Sequence, residues 1–233
     1  MSERTYIALP AGDRGLAEVP APLPLGALVP GTGPWEVEIG FGKGKYLLRR
    51  SREEPERRFL GIEIAGKYHR KLVERARARK LGNWMALRGD ALYLLSAVLP
   101  ARFAQTVHVY FPDPWPKSRQ QKRRLFDPET VDLVVGLLAD SGTLLFATDF
   151  LEYGEKVHEL LESYPGLSVL RRDRWEEGAR TNYESKYELL GRPILRLEAR
   201  FDASGAVRSA APLHPRGAAA VLAATFREEE EEK

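Results

Sequence analysis

The sequence predicts a doubly wound α/β fold, a mostly parallel seven-stranded sheet with helices on both faces. Three observations predict it. From Trp35 onward, short apolar runs alternate with helical patterns, the order that builds a parallel sheet with crossover helices. Seven such runs follow one another without an internal repeat. Glycines and acids gather immediately after the runs, and a sheet of this kind binds its ligands beyond the carboxyl ends of its strands.

Residues 1–33 are rich in Pro, Gly and Ala without sustained periodicity, and read as an irregular N-terminal arm. Residues 34–201 read as the domain proper. WEVEI at 35–39 is the first strand, followed by a glycine loop and a helix near 45–52. RFLGI at 58–62 is the second, with a helix over 65–80, and 84–87 is the third, with a helix over 91–99. TVHVY at 106–110 is the fourth, and the proline-rich loop after it is irregular. A helix over 128–139 with Asp127 as N-cap leads to TLLFA at 143–147, the fifth strand. A helix over 151–163, a strand at 167–170, a short helix over 182–190 and a strand over 194–201 complete the sheet. Residues 202–233 read as a C-terminal extension, with a helix near 215–227 and an acidic tail.

Composition narrows the function. The chain has 233 residues, 43% of them hydrophobic and 30% charged, which suits one large domain able to bury a core. No stretch approaches the ~20 apolar residues of a membrane span, and the first residues lack the basic start and apolar core of a secretory signal. A cytoplasmic protein without a membrane partner is expected. There are no cysteines, so disulfides, thiolate metal sites and cysteine nucleophiles are excluded. His69, His108, His158 and His214 are scattered without metal-ligand spacing, so no metal is expected. Net charge is +3, but residues 228–233 read EEEEEK; without those five acids and one base the rest of the chain stands at +7. A basic body fits a polyanionic partner such as a nucleic acid, or an ordinary arginine-rich surface.

The strand ends carry the chemistry. The first strand runs into Glu38-Ile39-Gly40-Phe41-Gly42-Lys43-Gly44. Glycines allow a tight turn or the close approach of a ligand to the backbone. The spacing G-x-G-x-G differs from the G-x-G-x-x-G of dinucleotide binders, which disfavours a nicotinamide oxidoreductase. Glu63 follows the second strand, 23 residues past Gly40, where an acid can bind ribose hydroxyls. Asp90 follows the third strand, as an acceptor for an adenine amino group or as a helix N-cap. After the fourth strand comes Phe111-Pro112-Asp113-Pro114-Trp115-Pro116, in which two prolines stiffen the backbone around one acid and Trp115 offers a face for a base. Lys117, Arg119, Lys122, Arg123 and Arg124 then form a run suited to phosphate contacts, or a solvated loop. Asp149 after the fifth strand is either a cap or a substrate ligand. Thr181-Asn182-Tyr183-Glu184 reads as a capping box, a role compatible with a ligand role.

EIGFGKG, Glu63, Asp90, YFPDPWPKSRQQKRRL, TDF and TNYE, in this order from about Trp35 to Arg200, resemble the bacterial tRNA (guanine-N7)-methyltransferases. FPDPWPK followed by KRRL is the specific part. The resemblance implies a Rossmann-like class I methyltransferase that moves a methyl group from S-adenosylmethionine to N7 of guanine 46 in the variable loop of tRNA. It implies cofactor-binding residues Glu38, Gly40, Gly42, Gly44, Glu63, Asp90 and Asp113, with Asp113 also catalytic. It implies substrate contacts at Lys117, Asp149, Thr181, Asn182, Tyr183 and Glu184, and a monomer or a homodimer. Asn182-Tyr183 replaces the more usual Lys-Phe or Asn-Phe, and Gln120 or Gln121 stands where a histidine is common. Two other readings compete: a class I methyltransferase with a small-molecule or protein substrate, against which the FPDPWPK loop and its cations argue, and an RNA-binding module without catalysis, against which the acids at successive strand ends argue.

Overall fold

The computed structural model describes residues 6–8 and 22–204. Its strands are β1 (Tyr6–Ala8), β2 (Trp35–Ile39), β3 (Arg58–Glu63), β4 (Trp84–Arg88), β5 (Ala104–Tyr110), β6 (Leu138–Thr148), β7 (Leu167–Arg171) and β8 (Leu195–Phe201). Its helices are α1 (Leu25–Leu28), α2 (Lys45–Glu53), α3 (Gly66–Ala78), α4 (Ala91–Tyr93), α5 (Pro128–Leu137), α6 (Leu151–Glu162) and α7 (Asn182–Leu189), with a π-helical stretch Leu94–Val98 after α4 and a 3-10 turn Ser118–Arg123. The strands form one sheet in the order β1-β4-β3-β2-β5-β6-β8-β7, parallel except where β8 pairs antiparallel with β6 and β7.

Seven strands are those expected; the eighth is β1, in the arm expected to be irregular. Its three residues pair with Ala86, Leu87 and Arg88 on the edge of β4, too short a stretch to leave a periodic pattern. The arm also carries α1. β6 starts at Leu138, inside the expected helix, because the chain turns extended there and pairs with Ala104. Gly142 lies in this irregular pairing, where a side chain would crowd the Ala104 carbonyl at 3.0 Å. The helix expected near 215–227 and the acidic tail lie outside the described residues. No described helix is long and apolar enough to cross a membrane.

Strand alternation decides which face becomes the site. Val37, Ile39, Leu60, Ile62, Val107, Val109, Leu144 and Phe146 turn to one face and join the larger core with α5, α6 and the π-helical stretch. On the other face Phe59, Trp84 and Ala86 pack under α2 and α3. The middle of that second face is polar: Glu36, Glu38 and His108 are buried there, next to Tyr110. Glycine at position 61 lets Phe41 and Leu47 settle onto β3, since a side chain there would come within 2.7 Å of both. The chain leaves β2 outward through β3 and β4, then returns to the other side of β2 with β5. The crevice beyond β2 and β5 is therefore the topological switch point.

Candidate active site

The loop after β2 shapes the floor of a cleft of about 300 Å³. Gly40, Gly42 and Gly44 all have positive φ (75°, 51° and 66°), which side-chain-bearing residues rarely adopt. A side-chain carbon built on Gly40 or Gly42 would meet no atom within 4 Å, so the backbone there faces open space. Glu63 holds this loop: one carboxylate oxygen accepts from Gly42 N (2.9 Å) and the other from Ala65 N (2.8 Å). Glu38 lies at the floor, fully buried, with Oε2 lacking any protein hydrogen bond. Burial pushes its carboxyl up to about 8, the nearby charges of Glu63 and Glu36 add to that, and the Leu47 amide opposes it.

The opposite rim comes from β5 and α7. Tyr110, Phe111, Thr181, Asn182 and Tyr183 line the cleft together with Glu38, Gly40 and Gly42. The expected site residues thus divide: Glu38, Gly40, Gly42, Thr181, Asn182 and Tyr183 meet in one cleft, while the others stand around it. Gly44 is the buried N-cap of α2, and Glu63 sits behind the glycine loop. Asp90 caps α4, accepting from Tyr93 N at 3.1 Å. Asp113 and Lys117 are exposed on the loop above. Asp149 lies near Tyr187, whose phenol is pushed up by burial and by the Asp149 charge.

Two expectations need correction. Glu184 is fully buried: Oε1 takes Arg196 Nε at 2.7 Å and Oε2 takes Arg180 N at 2.7 Å, so it anchors α7 and offers no surface to a base. Thr181 still caps α7 through Glu184 N (3.0 Å), but the reciprocal bond of the capping box goes one residue further back than expected. Arg124, counted with the phosphate-binding run, is buried. It donates to the Pro114 carbonyl at 2.7 Å and lies over the Tyr153 ring at 4.9 Å, tying down the proline loop from beneath. Lys117, Arg119, Lys122 and Arg123 remain exposed. Arg123 covers the Trp115 ring at 5.0 Å, and Trp115 does not line the cleft.

The proline loop is strained at both ends. Phe111 (φ 52°) and Trp115 (φ 41°) adopt left-handed backbone on either side of Pro112-Asp113-Pro114. Such residues cost about 1–3 kcal/mol each and concentrate at functional sites. Prolines in the sequence announced stiffness but not this geometry.

A buried polar chain under the cleft escaped sequence reasoning. Arg180 donates to the Tyr110 hydroxyl (2.6 Å), which meets His108 Nδ1 (2.8 Å). His108 Nε2 meets Glu36 Oε2 (3.1 Å), and Glu36 Oε1 takes Arg50 (3.1 Å) and Arg57 (3.3 Å). Arg180 is stacked 4.3 Å over Trp175. Burial raises the Glu36 carboxyl, but the His108 hydrogen bond and charge, with Arg50, outweigh it and bring it down to about 2. Burial lowers His108. The signal was present in the alternation: Glu36, Glu38, His108 and Tyr110 share one face of two adjacent strands in a sheet whose strands should be apolar on both faces. No group of three or more His, Asp or Glu placed to hold a metal occurs among the described residues.

A doubly wound sheet with a glycine-floored cleft at its switch point, acids at its strand ends and a nearby strained loop defines the class I methyltransferase architecture. A family model described as "Putative methyltransferase" matches residues 32–197. The tRNA (guanine-N(7)-)-methyltransferase of Leifsonia xyli subsp. xyli is 37% identical over 183 residues, covering 76% of this chain and 81% of the relative. That of Alkalilimnicola ehrlichii is 36% identical over 179 residues, covering 76% of each. The chain belongs to the tRNA (guanine-N7)-methyltransferase family. Among solved structures, the 16S rRNA methyltransferase KamB aligns with a TM-score of 0.55 at 17% identity, over 72% of this chain and 88% of that one. A SAM-dependent methyltransferase from Aquifex aeolicus aligns with a TM-score of 0.52 at 13% identity, over 73% and 84%. These two share the fold.

Proposed function

We propose that this protein transfers a methyl group from S-adenosylmethionine to N7 of guanine 46 in the variable loop of tRNA. One observation carries the reading: in a chain of this family, the glycine loop and the Thr181–Tyr183 segment line a single cleft, so a cofactor and a base can meet there. The residues present fit the cofactor. Gly40 and Gly42 leave open space at the backbone, and the unpartnered Glu38 Oε2 can accept from an ammonium group. Glu63 keeps the loop in place; with the cofactor bound, Glu63 would be the acid for its ribose hydroxyls and Asp90 the one for its adenine amino group. When bound, S-adenosylmethionine supplies an electrophilic methyl carbon on a sulfonium.

Guanine N7 carries a lone pair and no proton at neutral pH. Its lone pair forms the new bond to the methyl carbon as the carbon–sulfur electrons return to sulfur. No proton moves, and the positive charge arrives on the purine. The chain therefore has to align the reactants and stabilise that charge. Asp113, on the strained loop, is assigned to the guanine N1–H and 2-amino edge and to the developing charge. Asp149, near Tyr187, is the neighbouring acceptor. Lys117 contacts phosphate or O6, and Arg119, Lys122 and Arg123 contact the tRNA backbone. The target base has to leave its stack to reach the cleft, at a cost of a few kcal/mol.

Incubation of unmodified tRNA with the protein and labelled cofactor, followed by borohydride–aniline cleavage, tests the reading. Strand scission at guanine 46 is expected. Label at another nucleotide or in no tRNA would overturn it.

A further inference from the structure

Three aromatic rings stand together at the rim where the base has to enter. Phe111 lies 5.7 Å from Tyr187 and 6.1 Å from Tyr183, and the two tyrosines are 6.1 Å apart. Phe111 and Tyr183 line the same cleft as Gly40 and Gly42, and Tyr183 is 58% exposed, uncommon for so large a ring. The cluster is built rather than incidental. Phe111 keeps its unfavourable φ of 52° while its amide is bonded to the Ala147 carbonyl at 2.7 Å. Tyr183 sits on α7, which is anchored from below by Glu184 and Arg196 and from the first turn of α2 by Lys45 Nζ on Ser185 Oγ at 3.0 Å. Tyr187 stands behind, with Arg192 5.2 Å over its ring.

We propose that Phe111 and Tyr183, backed by Tyr187, form a stacking wall for the target guanine that grips the methylated, positively charged purine more tightly than the neutral one. This rests on the function proposed above and names how its base pocket works. Any base stacks on an aromatic face. A cationic purine gains in addition from the negative face of the ring, the attraction that holds cations over tyrosine and phenylalanine. The positive charge reaches the purine only as the methyl transfers, so the wall binds the transition state better than the substrate. Trp115, the base-stacking candidate from sequence, is covered by Arg123 and lies outside the cleft.

The full chain, saturated with S-adenosylhomocysteine, is titrated calorimetrically with 7-methylguanosine 5′-monophosphate and with GMP. The methylated nucleotide should bind about fivefold tighter or better. Tyr183→Leu and Phe111→Leu should bring its affinity down to that of GMP while the chain still folds and can still be saturated with S-adenosylhomocysteine. Tyr183→Phe, which keeps the ring, should keep the preference, so a general loss of folding is separable from loss of the stack. Equal binding of the two nucleotides by the wild type, no binding of either, or a preference that survives both leucine variants would overturn the wall. Those results alongside intact formation of 7-methylguanosine in tRNA sink the wall alone. Absence of 7-methylguanosine from treated tRNA sinks the function itself.

Discussion

Glu36→Gln isolates the charge at the centre of the buried polar chain while keeping its shape. In the wild type this carboxylate is 4% exposed and faces Arg50, Arg57 and His108 within 3.3 Å. Its carboxyl is held at about 2, against an ordinary value of 4.5. A depression of that size corresponds to about 3 kcal/mol at neutral pH. Breaking a buried ion pair by removing one partner costs a similar ~3–5 kcal/mol. The sign follows from the depressed value: the contribution is present above pH 4.5 and is lost as pH falls toward 2, with about half gone by pH 3. Urea unfolding at pH 7 should therefore show the variant less stable by about 3 kcal/mol, equivalent to ~6–12 °C in melting temperature for a chain of this size. The gap between wild type and variant should narrow as the titrations are repeated at pH 5, 4 and 3. A variant within 1 kcal/mol of wild type at pH 7, or a gap that does not depend on pH, would show that the charge of Glu36 is not what holds this node together.

Asp113→Ala should abolish detectable methyl transfer to tRNA and leave S-adenosylhomocysteine binding by calorimetry within about twofold; turnover near wild type would remove Asp113 from the reaction. Glu38, raised to about 8, has to lose its proton before it accepts from the cofactor's ammonium, so affinity for S-adenosylhomocysteine should rise by about tenfold per pH unit below 8 and then level off. The same raised value makes its contribution to the stability of the ligand-free chain present below pH 4.5 and lost as pH rises through 8, and Glu38→Gln should flatten both profiles. Charge reversal at Arg119 should lower the salt slope of tRNA binding by about one without changing the melt, whereas Arg124→Met should lower the melting temperature because that guanidinium pins Pro114. A salt slope that responds to Arg124 and not to Arg119 would reverse this division of the basic run.

The parallel strands and the crossover helices were legible because each carries its own short apolar run or helical period, and Asp127 and Thr181 cap their helices as their side chains predict. What stayed illegible depended on partners distant in sequence. β1 exists through the free edge of β4, about 80 residues away, and three residues hold no pattern. Glu184 reads as a reachable acid until Arg196 is placed against it, and Arg124 reads as one more surface cation until Pro114 and Tyr153 close over it. The glycine loop and the Thr181–Tyr183 segment were identifiable as motifs; that they line one cleft is a fact of three dimensions. The strained φ of Phe111 left no trace in residue type, since prolines on neighbouring positions are compatible with several loop paths.

The buried polar face of β2 and β5 explains why the cleft is where it is. Buried polar groups are tolerated when hydrogen-bonded and costly when not. Along the chain from Arg50 through Glu36, His108 and Tyr110 to Arg180, both carboxylate oxygens, both imidazole nitrogens and the phenol have partners; only the Nε atoms of the two terminal arginines are left without one. Two residues along the same strand, Glu38 shares the face but not the partners: among the buried, unpartnered polar side-chain atoms of the described residues, its Oε2 is the sole carboxylate oxygen. The residue sits where the glycine backbone opens onto the cleft. A carboxyl left unsatisfied there is kept near neutral pH in its uncharged form and is completed only when a donor arrives from the cleft. The polar chain beneath it keeps Tyr110 and Arg180 in place, and with them the start of the Thr181 segment that forms the opposite rim. Stability and recognition are thus divided between neighbouring positions of one strand, and a substitution at Glu36 should register in the melt while one at Glu38 should register in the cofactor's pH profile.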